Sequence, residues 1–160
     1  MSSSRSRNVE LARQFANRAV ALASASPDDK VLIFGSEQID LLVELATRGF
    51  VDVACSCLSA CGAPSIVAER LADIVLAPDV RDEAGLCLLL SKAQRVLAPD
   101  GVVVVRIAHS CLPAWLHEDL TAQGFTLVQT EVTPYGAAVL LRRVISNLTP
   151  NLLSVKRLMA

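Results

Sequence analysis

Three cysteines and a histidine follow two segments that have the composition of buried β-strands. Cys55, Cys57 and Cys61 lie at the end of one such segment, and His109 follows another. Thiolate sulfur and imidazole nitrogen are ligands that zinc prefers, and the carboxyl ends of parallel strands meet at one edge of a sheet. One interpretation is therefore a metal or thiol site. The other is that the cysteines are small buried apolar side chains, which is favoured because zinc sites usually combine two pairs of closely spaced ligands.

A polar turn, Gly35-Ser36-Glu37, separates an apolar run from a segment with helical periodicity. The first backbone N–H groups of a helix have no partner within the helix, so a helix N-terminus attracts anions. One interpretation is a loop that binds an anion or a cofactor. The other is an ordinary strand-to-helix turn in which Ser36 caps the helix. A single glycine favours the ordinary turn.

Charged residues stand at two further places near predicted strands. Asp79, Asp82 and Glu83 follow a buried strand, where they would either orient an amine substrate or charge the N-terminus of the next helix, the commoner role. Arg106 stands in a run of valines. A buried arginine needs a carboxylate partner, unless it faces an edge or solvent.

Length and composition narrow the classes of function. The 160 residues fit one domain, and 52% hydrophobic residues with a mean hydropathy of +0.46 exclude intrinsic disorder for most of the chain. Binding to nucleic acid is not expected, because the net charge is -1 and aromatic residues make up only 4% of the chain. The apolar runs are too short for a membrane span, which needs about 20 residues.

The N-terminal residues and the cysteines indicate the compartment. No apolar stretch follows Arg5 and Arg7, so a secretory signal is not expected. The five cysteines are an odd number in a chain large enough to fold without disulfides. They are interpreted as reduced thiols in a bacterial-type cytoplasm, and the Ala-, Leu-, Val- and Arg-rich composition is typical of a GC-rich bacterium.

Hydrophobic periodicity and turn residues predict the elements that must position these groups. Helices are predicted over residues 8–24, 37–48, 81–97 and 113–123, and strands over residues 30–34, 51–57, 73–77, 102–107, 125–130 and 137–144. Pro78 and Asp79 are expected to end the third of these strands. Residues 98–101 and 133–136 are predicted as turns.

The order of these elements predicts an α/β fold with three layers. Strands that alternate with helices pair in parallel, whereas the last two strands have no helix between them and must form an antiparallel hairpin at one edge. The sheet is thus mainly parallel and twisted, with helices on both faces. Residues 1–7 are predicted as a disordered tail, residues 8–144 as the domain, and residues 145–160 as an apolar segment that docks on the domain or on a partner subunit. A homo-oligomer or a protein partner is therefore expected.

Several segments resemble class I S-adenosylmethionine-dependent methyltransferases, over roughly residues 8–144. Lys30-Val-Leu-Ile-Phe-Gly35 is similar to the first strand and turn of that Rossmann-like family, and Ala72-Asp-Ile-Val-Leu-Ala77 to its fourth strand. Val96-Leu-Ala-Pro-Asp-Gly-Val-Val-Val-Val105 is similar to its entry into strand five, and the C-terminal hairpin is characteristic of the family. The resemblance implies that S-adenosylmethionine would bind at the carboxyl ends of the strands. The residues placed there are Gly35, Ser36, Glu37, Ser56, Pro78 and Asp79.

This sequence departs from the family's pattern at the cofactor site. The acid that ends the family's first strand corresponds to Ile33, and two of its three loop glycines correspond to Glu37 and Ile39. The family's second strand ends in an acid that binds the ribose hydroxyls, where this chain offers Ser56. The order Pro78-Asp79 reverses the family's aspartate or asparagine followed by proline. The sixteen residues between Cys57 and Ile74 also compress or remove the family's third strand and the helix before it.

These departures predict a degenerate member of the family, with weakened or lost S-adenosylmethionine binding, that acts as a binding or assembly module. Two alternatives stay open. One is an active S-adenosylmethionine-dependent methyltransferase with an atypical pocket, and the other is the thiol or metal site formed by the cysteines and His109.

Overall fold

The computed structural model describes residues 2–35, 38–56, 71–108, 114–133 and 136–144. These residues form four helices and six strands. The helices are α1 (Ser2–Ala23), α2 (Gln38–Thr47), α3 (Glu83–Val96) and α4 (Leu116–Ala122), and the strands are β1 (Val31–Phe34), β2 (Val53–Ser56), β3 (Ala72–Val80), β4 (Leu97–Ile107), β5 (Phe125–Thr133) and β6 (Gly136–Arg143).

The strands form one sheet in the order β2-β1-β3-β4-β6-β5. The first four strands of this order are parallel, and β6 runs antiparallel to both of its neighbours, β4 and β5. The sheet therefore ends in the antiparallel hairpin that the sequence predicts. The α/β prediction of a mainly parallel sheet with a C-terminal hairpin is confirmed.

Alternate side chains of the strands pack into two separate cores, one on each face of the sheet. Val103 and Val105 of β4 pack with buried leucines of α3 and α4. Val102 and Val104 point to the other face and pack with buried residues of α1 and α2. We call these the α3/α4 face and the α1/α2 face. Helices therefore cover both faces, as the uninterrupted apolar strands predict.

β3 is longer than the sequence indicates, and the expectation that Pro78 and Asp79 end it is wrong. Ala77 pairs with Val105 and Val80 pairs with Ile107, so β3 advances three residues where β4 advances two. The extra residue forms a β-bulge. Proline has no backbone N–H, and at a bulge the sheet does not require one. Pro78 and Asp79 therefore lie inside the strand.

The turn predicted at residues 98–101 lies within β4. Ala72 pairs with Leu97 and Ile74 pairs with Val102, so β4 advances five residues while β3 advances two. The excess residues leave the ladder, and Pro99 and Asp100 are exposed. The residues between Leu97 and Val102 therefore bulge out of the pairing with β3, which resumes at Val102.

The N-terminus also differs from the expectation of a tail. α1 begins at Ser2, so residues 2–7 extend the helix that the periodicity places from residue 8. No glycine or proline interrupts the chain between Ser2 and Ala23, which allows the helix to continue. The predictions for residues 57–70 and 145–160 lie outside the described residues. None of the helices that the structure describes has the length and hydropathy needed to cross a bilayer.

Candidate functional site

The carboxyl ends of β1, β2 and β3 lie side by side, because Ile33 of β1 pairs with Cys55 on one side and Leu76 on the other. Gly35 follows β1 with φ of +139°, a conformation that favours glycine. Its backbone N donates to the carbonyl oxygen of Ser56 at 3.4 Å. A Cβ atom on Gly35 would lie 3.7 Å from Cδ of Pro78. The structure thus brings Gly35, Ser56 and Pro78 together, as the sequence predicts.

Gln38 links the ends of β1 and β2 and is a residue that the sequence analysis did not single out. It is the first residue of α2, and its Nε2 donates to the carbonyl oxygens of Gly35 and of Ser56, the latter at 2.6 Å. Ser56 is the last residue of β2 and pairs with Phe34, and Gly35 directly follows β1. The side-chain amide therefore joins the two adjacent strand ends.

Asp79 is held in a cluster of charges at the end of β3. Its carboxylate accepts from Nε of Arg81 at 3.0 and 3.2 Å, and Nη2 of Arg81 lies 2.8 Å from Oδ2. Nη2 of Arg106 lies 3.9 Å from Oδ1, and Nε of Arg106 donates to the carbonyl oxygen of Pro78. Arg106 thus has the carboxylate neighbour that burial of an arginine requires. Asp79 serves as the counter-ion of two guanidinium groups.

Solved structures of methyltransferases match this arrangement of helices and strands. A ribosomal protein L11 methylase from Lactobacillus delbrueckii subsp. bulgaricus matches with a TM-score of 0.54 and 15% identity, covering 86% of this chain and 78% of that chain. A TehB-like SAM-dependent methyltransferase from Corynebacterium glutamicum matches with a TM-score of 0.54 and 16% identity, covering 79% and 85%. The 1,6-didemethyltoxoflavin-N1-methyltransferase of Burkholderia thailandensis matches with a TM-score of 0.54 and 17% identity, covering 83% and 77%.

This chain has the class I methyltransferase-like fold. The resemblance seen in the sequence is therefore confirmed for the fold. Sequence identities of 15–17% carry no conclusion about activity. No protein-family model and no curated protein matches the chain.

Three positions at which the sequence departs from the family's pattern lie among the described residues. Ile33, in the position of the family's first acid, is fully buried on the α1/α2 face. β2 ends at Ser56, and no carboxylate terminates β1 or β2 in the described residues. Ile39, in the position of the third glycine, is 76% exposed in the first turn of α2. Ser36 and Glu37 lie outside the residues that the structure describes.

The structure places only one of the four residues of the metal hypothesis. Cys55 is half-buried in β2 and packs against the core of the α1/α2 face. This position agrees with a cysteine that acts as a small apolar side chain. Cys57, Cys61 and His109 lie outside the described residues, within which no group of three potential ligands occurs. The metal site stays a prediction.

The acidic residues after β3 serve the helix that follows. Asp82 is the N-cap of α3, and its Oδ1 accepts from the backbone N of Gly85 at 2.7 Å. This satisfies one of the unpaired N–H groups of the first turn. The interpretation that this cluster caps and charges the helix is thus confirmed for Asp82.

Glu83, the first residue of α3, faces Asp119 of α4. A hydrogen bond between the two carboxyl groups raises the pKa of Glu83, and repulsion by the charges of Asp119 and Glu118 acts in the same direction. On the next turn, burial raises the pKa of the Cys87 thiol, and the charges of Asp119 and Glu83 add to this shift. The α3–α4 contact therefore brings like charges together.

Glu83→Gln is expected to raise the melting temperature at pH 7. The pKa of Glu83 is higher in the folded protein than its ordinary value of 4.5, so between these two values the folded state binds more protons than the unfolded state. Stability is therefore lost as pH rises through this window. Glutamine does not ionise, so in the variant the melting temperature is expected to depend less on pH. Thermal unfolding at several pH values from 4 to 7 measures this dependence.

Glu10→Gln is the control, because Glu10 lies on α1 and has a cationic neighbour, Arg13, at 3.6 Å. It is expected to leave the pH dependence as in the wild type. If Glu83→Gln lowers the melting temperature at pH 7, the account of carboxyl repulsion is wrong.

Proposed function

We propose that this protein is a diverged methyltransferase-like protein with weakened or lost S-adenosylmethionine binding, and that it acts as a binding or assembly module. The hydrogen bonds from Gln38 to the carbonyl oxygens of Gly35 and Ser56 carry this proposal. They tie together two strand ends that flank the expected cofactor site. A cofactor bound there would meet carbonyl oxygens that already accept hydrogen bonds from Gln38.

The charges and shapes around Gln38 support the same proposal. Hydroxyl groups of a ribose are best held by a carboxylate, because a hydrogen bond to a charged acceptor is stronger than one to a neutral acceptor. Ser56 supplies only a hydroxyl and a carbonyl, and the carbonyl already accepts from Gln38. The branched side chain of Ile39 replaces a glycine that would allow close approach of the backbone.

An exposed apolar strip on α2 supports the assembly part of the proposal. Ile39 is 76% exposed and Val43 is 55% exposed, and residues four apart lie on one face of a helix. Large apolar side chains that are exposed next to each other favour contact with another protein surface. We expect a second copy of the chain to cover this strip.

Isothermal titration with S-adenosylmethionine and S-adenosylhomocysteine tests the loss of the cofactor. We expect Kd values weaker than about 1 mM, since no carboxylate ends β1 or β2 in the described residues and each charged hydrogen bond would add about 1.5–3 kcal/mol. A cofactor-dependent methyltransferase titrated with the same solutions controls for ligand quality. Micromolar binding would contradict the proposal, and sedimentation velocity of the same sample reports whether two copies associate.

The second candidate is an active S-adenosylmethionine-dependent methyltransferase with an atypical pocket. Gly35 favours it, because it retains the φ of +139° directly after β1. The Burkholderia thailandensis structure, with the same fold, is described as holding S-adenosylhomocysteine. Micromolar binding of both compounds in the titration would select this candidate over the first.

A further inference from the structure

The edge of the sheet at which the parallel strands begin carries exposed apolar residues. Strand pairing places one residue from each of five strands at the same level of the sheet: Val53, Val31, Ile74, Val102 and Arg142. Val51 and Leu71 precede this level by two and three residues, and Val144 follows it by two residues on the antiparallel β6. All three residues therefore lie at one edge, where they are 85%, 54% and 51% exposed. We call them the amino-edge row.

The amino-edge row extends from the start of β2, past the start of β3, to the end of β6. Four strand spacings separate β2 from β6 in the sheet. At about 4.8 Å for each spacing, the row is roughly 19 Å long and its members are roughly 10 Å apart. Two turns of a helix rise by about the same distance, since seven residues extend about 10.5 Å. A helix with one apolar face is therefore a suitable shape to cover the row.

The chain leaves the sheet at one end of this row. β6 ends at Arg143, and the backbone N of Val144 donates to the carbonyl oxygen of Gly124 at 2.8 Å. Residues 145–160 follow directly and lie outside the described residues. These sixteen residues would extend about 24 Å if all were helical, and further if some were extended. They are therefore long enough to reach along the whole row.

The sequence of residues 145–160 has the pattern of a helix with one apolar face. Large apolar side chains recur at intervals of four, three and four positions: Leu148, Leu152, Val155 and Met159. Thr149 and Pro150 are suited to the N-cap and the first position of a helix. Leu152 and Met159 are seven positions apart, so a helix would separate them by about the distance between neighbours in the row.

Charge also favours contact between this segment and the edge. Residues 145–160 contain no acidic residue and two basic ones, Lys156 and Arg157. The segments that lead into β1, β2 and β3 carry more acidic than basic residues: Asp28, Asp29, Asp52 and Asp73 against Lys30 and Arg48. Arg48 already has a carboxylate neighbour, since its Nη2 lies 3.7 Å from Oε2 of Glu44. A basic segment is therefore attracted to the end of the row that is farther from β6.

We propose that residues 145–160 fold back along the amino edge of their own chain, as a helix that packs Leu152 and Met159 against Leu71 and Val51. Attachment at Val144 gives this segment a high effective concentration at the row, which favours it over the same segment of a second copy. The row is separate from the α2 strip, because Ile39 follows the opposite, carboxyl end of β1. The proposal is independent of S-adenosylmethionine binding.

Hydrogen exchange of the full chain, followed by mass spectrometry of its peptides, tests the proposal. We expect backbone amides of residues 152–159 to exchange at least about tenfold more slowly than in an unstructured chain, because a docked helix opens only rarely. This protection is expected to be the same at about 10 µM and about 200 µM protein, since contact within one chain does not depend on concentration. Protection that increases with concentration would assign the row to a second copy and overturn the proposal.

Val51→Asn is expected to reduce this protection about tenfold, because it removes one apolar contact of the docked helix. Val132→Asn is the matched control: Val132 is 60% exposed, and it lies at the opposite edge of the sheet, where its partner Ala137 pairs with Ile107. It is expected to leave residues 152–159 unchanged. Peptides from β4 report in both variants whether the sheet remains folded. The proposal is also overturned if residues 152–159 show no protection in the wild type, or if the two variants change it alike.

Discussion

Gly136→Ala is expected to destabilise the protein by about 3 kcal/mol or more, a large part of the 5–15 kcal/mol typical of a folded domain. Gly136 begins β6 with φ of +129°. A Cβ atom there would lie 2.3 Å from the carbonyl oxygen of Ile107 and 3.4 Å from Cα of Ala108. Both contacts are with the backbone of the neighbouring chain segment, and Ile107 pairs with Ala137 in the sheet. The methyl group therefore forces the two strands apart.

Gly49→Ala separates this clash from the strain of a positive φ. Gly49 has φ of +90°, and a Cβ atom there would meet nothing within 4 Å. It is expected to cost about 1–2 kcal/mol, the penalty of a left-handed conformation alone. Urea unfolding measures both variants. Equal losses for the two would show that the contact with Ile107 contributes nothing.

The sequence predicted the fold correctly where the hydrophobic pattern within a segment agrees with the pairing between strands. The run of valines in β4 predicts a strand buried on both faces, and the structure packs its residues into both cores. The rule that proline ends a strand failed at Pro78, because the pairing of Val80 with Ile107 extends β3 beyond a bulge. A bulge depends on the register with the neighbouring strand, and that register is not a property of the local sequence.

At the candidate site, some residues could likewise be predicted from the sequence and others could not. Gly35, Ser56 and Pro78 were expected to meet, because the carboxyl ends of parallel strands share one edge. Gln38 was missed, since its hydrogen bonds reach Ser56, which is 18 positions further along the chain. A glutamine in the first turn of a helix has no local pattern that indicates such acceptors. Arg106 gave a signal, as a lone charge among valines, but the identity of its neighbour Asp79 required the sheet.

Phe125→Ala is expected to cost about 3–5 kcal/mol of stability, the range for removal of a buried aromatic ring. Phe125 begins β5, is 1% exposed, and belongs to the core of the α3/α4 face. It directly follows the turn that ends α4, so its ring joins the helix layer to the edge hairpin. Alanine leaves a cavity that the rigid sheet on one side cannot fill. Urea unfolding is expected to show a lower midpoint with an unchanged slope.

Two substitutions test whether burial is the cause. Phe125→Leu retains most of the apolar volume and is expected to cost about 1.5 kcal/mol or less. Val128→Ala, in the same strand but at a residue that is 48% exposed, is expected to change stability by about 0.5 kcal/mol or less. A loss for Val128→Ala as large as that for Phe125→Ala would mean that the strand itself, rather than the core beneath it, limits stability.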